Sequence, residues 1–174
     1  GYTAILASAD GVDNNASKPT AAQYAAIGVT GMDSAPEVSL LGDVLDVKSS
    51  AAVDSVAEVQ ALADAAAAVV AAAGAGSAPT LAQLQALGIT GVTADNLAAV
   101  QAAIAATADD GTGVDTLGEL QTVVTTAATA AANALAVIAA YDGSNTAPSL
   151  TDYSAAAVTG VSAANLGAIN SAVA

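Results

Sequence analysis

The sequence predicts an all-α fold built from tandem three-helix repeats that stack in an elongated array. One observation behind this prediction is a four-residue stretch, here called the anchor, that occurs three times. Its copies are residues 28–31 (Gly-Val-Thr-Gly), 88–91 (Gly-Ile-Thr-Gly) and 157–160 (Ala-Val-Thr-Gly). A second observation is a proline nine positions before each anchor, at Pro19, Pro79 and Pro148. Self-similarity with a period of tens of residues indicates a repeat architecture.

Each repeat is expected to open with a short helix between its proline and its anchor. These segments are Thr20–Ile27, Thr80–Leu87 and Ser149–Ala156. The anchor then forms the corner to the next helix, because glycine at its first position suits a left-handed cap at a helix end. Ala157 replaces that glycine in the third copy, so the third corner is expected either to have a different shape or to carry modest strain of about 1 kcal/mol. The second anchor residues (Val29, Ile89 and Val158) are expected in the core.

A second helix is expected after each corner. Asp33, Thr93 and Ser162 are residue types that cap helix N-termini, so we expect the helix to start there. Apolar residues at helical spacing place it at 94–107 in the second copy and at 163–173 in the third. Pro36 lies early enough to be accepted in a first turn of the first copy.

The third helix carries the third observation, a repeated helix-start signature. Ser55-x-x-Glu58 and Thr116-x-x-Glu119 match the capping box, in which a hydroxyl and a carboxylate satisfy free backbone donors. The second copy continues as a long amphipathic helix with an apolar stripe at Leu120, Val124, Ala127, Ala131, Leu135 and Ile138. The predicted divisions are a helix tail and loop (1–18), two three-helix repeats (19–77 and 78–146) and the first two helices of a third (147–174).

Composition and charge argue against several functions. Sixteen acidic residues stand against two lysines and no arginine, for a net charge of −14. Nucleic-acid binding needs cations that displace phosphate counterions, so it is not expected. The longest apolar runs are Ala-dominated and short of the roughly 20 residues that span a bilayer, so no membrane insertion is expected.

No catalytic or cofactor-binding residue can be named. The chain has no His, Cys or Arg, so the usual triads and zinc sites are absent, and we do not expect an enzyme. The sharpest candidate site is a calcium loop that contains Asp109, Asp110 and Asp115, because carboxylates beside glycine suit an ion that takes six to eight oxygens. The alternative is a solvated turn before a helix cap. A calcium-stabilised loop predicts that a chelator lowers the unfolding temperature.

The recurring Pro-Thr, Gly-Val-Thr-Gly and Asp-Thr-x-x-Glu-Leu-Gln (115–121) elements resemble the tandem helical modules of giant bacterial cell-surface adhesins and biofilm-associated proteins. The resemblance covers nearly the whole chain. It implies an extracellular, cell-surface location and a stalk or filament role in adhesion or matrix assembly. The implied partners are neighbouring repeats and other copies of the chain. The alternative function is a small three-helix module that binds a host or matrix protein.

Overall fold

The described secondary structure is helical, which confirms the all-α prediction. The computed structural model describes residues 1–14 and 18–174, and residues 15–17 of the predicted loop lie outside that range. Within the described part, the only β-type pairing is an isolated bridge between Asp10 and Ser49. The described helices are α1 (Tyr2–Ser8), α2 (Ala21–Ala25), α3 (Ala35–Asp46), α4 (Val56–Ala73), α5 (Leu81–Ala86), α6 (Leu97–Ala105), α7 (Leu117–Ala139), α8 (Leu150–Ala155) and α9 (Leu166–Val173), with a 3-10 turn at Ser50–Ala52.

The core is one apolar cluster that runs from Ile5 in α1 to Val124 in α7. Helix α4 lies in its middle and contacts α3, α5 and α6. Its buried face alternates larger residues such as Val59 and Val69 with alanines such as Ala66. Small residues allow helices to approach closely, so a chain without Phe or Trp still closes a core.

The three anchors form the corners that the sequence predicts. In each copy the second anchor amide donates back into the preceding helix, as Val29 does to Tyr24 (3.1 Å) and Ile89 to Leu84 (3.1 Å). The first anchor residue has positive φ at Gly28 (89°) and Gly88 (90°). Ala157 takes the same left-handed conformation, with φ of 57°. The third corner therefore keeps the shape of the others and accepts the strain of a Cβ.

The predicted N-caps of the second helix were wrong in all three copies. The helices start later, at caps Ser34, Asn96 and Asn165. Thr93 instead donates its backbone N–H to Asn96 Oδ1 (2.8 Å), and Ser162 does the same to Asn165 (2.7 Å). The asparagine side chain thus holds a turn ahead of the helix. For this reason α6 and α9 are shorter than the predicted 94–107 and 163–173 segments.

Asp33 fails as a cap for a different reason. The N–H groups of Asp33 and Ser34 both donate to Glu37 Oε2, at 2.9 and 2.7 Å. Glu37 therefore closes a capping box with Ser34, and Pro36 sits in the first turn of α3 as expected. The capping box at Ser55 and Glu58 is also formed. At Thr116 the predicted box is only half formed: the hydroxyl accepts the Glu119 N–H (3.2 Å) and donates to the Glu119 carboxylate (2.9 Å), but that carboxylate does not accept the Thr116 N–H.

Two apolar residues lie outside the core against expectation. Val158 is 43% exposed and Leu135 is 45% exposed. The stripe of α7 is buried at Leu120, Val124 and Ala131, but in its second half Ala134 is buried and Leu135 is not. No described helix packs over Val158, as the site geometry below explains.

By length and apolar composition alone, α4 and α7 could each cross a bilayer. The core helix of a soluble protein satisfies the same test, and α4 is largely of this kind because it packs between α3, α5 and α6. These two helices are therefore weak evidence for a membrane role.

Candidate interaction site at the helix corners

Two of the three corners are clamped by a glutamine from the following long helix. Gln60 Oε1 accepts the N–H of Thr30 (2.9 Å), and Gln60 Nε2 donates to the Thr30 carbonyl (3.1 Å). Gln121 repeats both bonds on Thr90, at 3.0 and 3.1 Å. Each primary amide thus pairs with both backbone polar groups, the N–H and the C=O, of one exposed anchor threonine. The glutamine amide acts as both acceptor and donor, so it forms a pair of hydrogen bonds like those between neighbouring β-strands.

Each clamp glutamine is held by its own helix. Its Nε2 also donates to the side chain one turn later, from Gln60 to Asp64 (2.7 Å) and from Gln121 to Thr125 (3.0 Å). This i,i+4 bond constrains the glutamine rotamer that binds the anchor threonine. Both glutamines lie five positions after a helix cap, at Ser55 and Thr116. The clamp is therefore a fixed part of the helix opening.

The third corner has the same backbone and no clamp. In the part of the chain that the structure describes, no side chain pairs with the N–H or carbonyl of Thr159. Val158 is 43% exposed, whereas its counterparts Val29 and Ile89 are 3% and 4% exposed. The two other corners are closed by a long helix, and this one is open.

The same contrast extends into the helix that follows the corner. Ile104 is fully buried in α6, a helix that packs against both α4 and α7. Its counterpart in α9, Val173, is 39% exposed. One position of α9 is nevertheless well ordered: Asn170 is buried, accepts the Tyr153 hydroxyl (2.8 Å) and donates to the Pro148 carbonyl (2.9 Å). Asn170 is the one buried residue of α9, and most of the rest of this helix is exposed.

A groove of about 480 Å³ lies at the open corner. One wall is the outer face of α6, at Ala98 and Ala102, and the other is the end of α8 with the third anchor. Its lining is Ala98, Ala102, Leu150, Ser154, Ala157, Val158, Thr159, Gly160 and Val161. None of these residues is charged, although the chain carries a net charge of −14. The groove therefore suits an apolar surface, and it has no charged side chain that could bind an ion.

Both cations of the chain connect parts that are far apart in sequence. Lys18 forms an ion pair with Asp43, and Asp43 Oδ2 accepts the N–H of Leu117 at the start of α7 (3.1 Å). A carboxylate at a helix N-terminus also interacts favourably with the helix dipole. Lys48 Nζ donates to the carbonyl of Ala86 at the end of α5 (2.8 Å), where a cation is favoured for the same reason.

The predicted calcium residues do not converge. Asp110 accepts the N–H and hydroxyl of Thr112, at 3.1 and 2.7 Å, and these bonds, the hydroxyl first, hold the pKa of Asp110 below its usual range. Asp115 faces Glu119 and Asp43, and partial burial followed by the nearby Glu119 raises the pKa of Asp115. Across residues 1–14 and 18–174, no three His, Cys, Asp or Glu side chains form a group able to hold a metal. Calcium at Asp109, Asp110 and Asp115 stays a prediction.

Sequence reasoning missed the clamp residues Gln60 and Gln121. A signal was present, because both glutamines follow a Ser/Thr-x-x-Glu signature at the same spacing. The local pattern predicts two helix features separately, and only the fold shows that they meet across about thirty positions. The buried Tyr153–Asn170 pair was missed for a similar reason, since its members belong to different helices.

Comparison with known proteins identifies no relative. No protein-family model matches the chain, and no curated protein or solved structure matches it significantly. The resemblance to adhesin modules therefore stays a prediction.

Proposed function

We propose that this chain is a non-catalytic structural segment of tandem three-helix modules within a long extracellular bacterial surface protein. It acts as a stalk or filament spacer in adhesion or in biofilm and matrix assembly. The modules correspond to residues 19–77, 78–146 and 147–174, preceded by the tail at 1–18. Its partners are neighbouring modules and other copies of itself.

The continuous core carries the proposal. The cluster does not divide at the boundary between residues 77 and 78, because Val69 and Ala72 of α4 belong to the same cluster as Leu84 and Val100. Helix α4, at the end of one module, contacts both α5 and α6 of the next. Units that share their core with their neighbours gain stability from stacking, as solenoid and array proteins do.

Polar contacts between modules support the same conclusion. Lys48 of the first module binds the end of α5 in the second, and Asp43 of the first binds the start of α7 in the second. These contacts fix the orientation of one module on the next. A rigid connection is what a spacer needs in order to convert repeat number into length.

The cell-surface location rests on the resemblance of the anchor and capping-box pattern to adhesin modules. A net charge of −14 is compatible with a salty medium, in which repulsion among surface carboxylates is screened. The alternative role as a host- or matrix-binding module would use exposed apolar residues. Leu135 and Val137 on α7, at 45% and 41% exposed, are the feature that favours it.

Insertion of one more module tests the spacer proposal. A second copy of residues 78–146 is placed between Thr146 and Ala147, and the matched control receives a Gly/Ser linker of equal length. Stacked modules should unfold in one transition with a higher thermal midpoint, since the added unit has packed neighbours on both sides. An unchanged midpoint, equal to that of the control, would show that the modules are independent and would contradict the proposal.

A further inference from the structure

The open groove at the third corner has two covered counterparts in the same molecule, and these identify what it binds. At the second corner, the covering element is the first half of α7. That segment bonds α3 through Leu117 and Asp43, clamps the corner through Gln121 and Thr90, and buries its apolar face on α6. The covering helix therefore lies between the second helix of the preceding module, the corner, and the second helix of its own module.

The walls of the open groove match that arrangement one module further along. Ala98 and Ala102 on α6 take the part of α3, and the 157–160 anchor takes the part of the 88–91 anchor. Helix α9, the counterpart of α6 in the sequence, follows that anchor. The first corner shows the same solution independently, because α4 packs on α3 and Gln60 clamps Thr30. Both covered corners are thus closed by the third helix of their module, α4 in the first and α7 in the second.

We infer that the groove between α6 and the third anchor is a docking site for a helix of the α4/α7 class, supplied by a further unit of this same repeat. The inference rests on the proposed function and names the partner surface that extends the array. The docking helix opens with Ser or Thr followed three positions later by Glu. It carries an apolar residue four positions after the cap and a glutamine five positions after it, as at Thr116, Leu120 and Gln121.

The chemistry of the groove selects this occupant. Val158 and Val161 offer apolar surface at the positions where Ile89 and Val92 are buried. The peptide groups of Thr159 offer one donor and one acceptor, which a glutamine amide satisfies together. Ala98 and Ala102 leave room for a helix backbone to approach. An ionic ligand finds no charge here, and an apolar helix without the glutamine would leave the Thr159 groups unpaired.

The test fuses a helix of this class to the chain. Because Ala174 aligns with Ala105, a copy of residues 106–139 is fused after Ala174 and continues the repeat in register. Hydrogen exchange by NMR then measures the Thr159 amide. We expect exchange to slow by about tenfold or more, which is what one added backbone hydrogen bond of ordinary strength supplies. Replacement of the appended copy of Gln121 by Ala should abolish most of the added protection of the Thr159 amide.

Two variants make the site assignment specific. Val158→Glu in the groove should abolish the protection of Thr159, because it puts a charge under the docked helix. Val137→Glu, at a residue of similar exposure on α7, should leave the protection unchanged. Both substitutions are at exposed positions, so the chain is expected to fold in each case.

Three outcomes would overturn the inference. Thr159 could exchange at the same rate with and without the appended segment, or its protection could survive both the Gln→Ala and the Val158→Glu changes. Alternatively, Thr159 could already be protected in the unextended chain at concentrations where light scattering finds a dimer, which would make a second copy the occupant. Failure here together with a raised midpoint in the module-insertion experiment would leave the spacer role standing. Protection of Thr159 by the appended segment, together with an unchanged midpoint in the module-insertion experiment, would contradict the spacer role and leave the docking site standing.

Discussion

The second and third corners have the same backbone and different surroundings. Gly88 and Ala157 share a left-handed conformation, and the following residue donates back to Leu84 in one and to Tyr153 in the other. Ile89 is nevertheless buried, and Val158 is 43% exposed. The comparison shows that the anchor sets the shape of the corner by local hydrogen bonds, whereas burial of the corner depends on a helix from further along the chain.

The largest expected difference lies in the second helix of each module. Ile104→Ala should lower the free energy of unfolding by about 2–5 kcal/mol, because Ile104 is fully buried against α7 and its loss leaves a cavity. Val173→Ala at the equivalent position should change it by no more than about 0.5 kcal/mol, since Val173 is 39% exposed. Urea denaturation of both variants measures the two changes in the free energy of unfolding. Equal losses would contradict the claim that the second corner is covered and the third is open.

The tyrosines of the first and third modules should respond in opposite ways. Tyr153→Phe removes the donor to Asn170 and leaves a buried acceptor unpaired, which should cost about 1–3 kcal/mol. The hydroxyl of Tyr24 is buried without a partner among the described residues, and burial raises its pKa above the usual range. Tyr24→Phe should therefore leave stability unchanged or raise it. Thermal denaturation would refute this account if Tyr24→Phe proved the more damaging change.

Exchange of the anchor residues should move stability by about 1 kcal/mol in each direction. Ala157→Gly relieves a left-handed alanine and should stabilise, whereas Gly88→Ala introduces the same strain and should destabilise. A Cβ at Gly88 would meet no atom within 4 Å, so the penalty arises from the backbone conformation alone. The sum of the two effects, measured in the double variant, should be close to zero. A double variant as damaged as Gly88→Ala would argue that the two corners differ in shape.

The smallest effects are expected from the carboxylates that cap the helices. Hydrogen bonds from the Ser55 hydroxyl and then from its amide lower the pKa of Glu58. A lowered folded-state pKa adds stability above the unfolded value, and that contribution is lost as the pH falls through the folded value. The chain should thus lose stability on acidification from pH 5 relative to Glu58→Gln, because glutamine keeps the capping geometry without titrating. Parallel pH profiles for the two proteins would exclude a contribution from Glu58.

Asp115 provides the control of opposite sign. Burial, followed by the neighbouring Glu119, raises the pKa of Asp115, so the neutral form is favoured in the folded state. Its contribution is present below the unfolded pKa and is lost as the pH rises through the folded pKa. Relative to Asp115→Asn, the wild-type chain should therefore become less stable as the pH is raised through that window, and the pH profile of the pair measures it.

Local signals in the sequence predicted most of the local structure, but they did not show which of two nearby polar side chains caps a helix. The prolines, the left-handed glycines and the capping box at Ser55 depend on neighbours within one turn, and the structure contains them as expected. The N-cap predictions at Thr93 and Ser162 were wrong because an asparagine three positions later captures the amide of each residue first. Residue type alone does not show which of two polar side chains, three positions apart, accepts the free backbone N–H at the start of a helix.

The candidate site was harder to predict than the fold. The glutamine clamp joins Thr30 to Gln60, and the open groove exists because one corner has no such partner. Burial of Val158 was expected from its similarity to Val29, but burial belongs to the assembly of helices and is not a property of the repeated motif. Periodicity can align the repeats; it cannot show which surfaces of the aligned repeats are covered.

The central claim is that a long helix closes a corner and that the third corner is open. Native-state hydrogen exchange of the unextended chain tests it at three equivalent amides, those of Thr30, Thr90 and Thr159. We expect Thr30 and Thr90 to exchange about tenfold or more slowly than Thr159 at every protein concentration, because only they donate to a clamp glutamine. Equal protection of all three amides in the monomer would contradict the account.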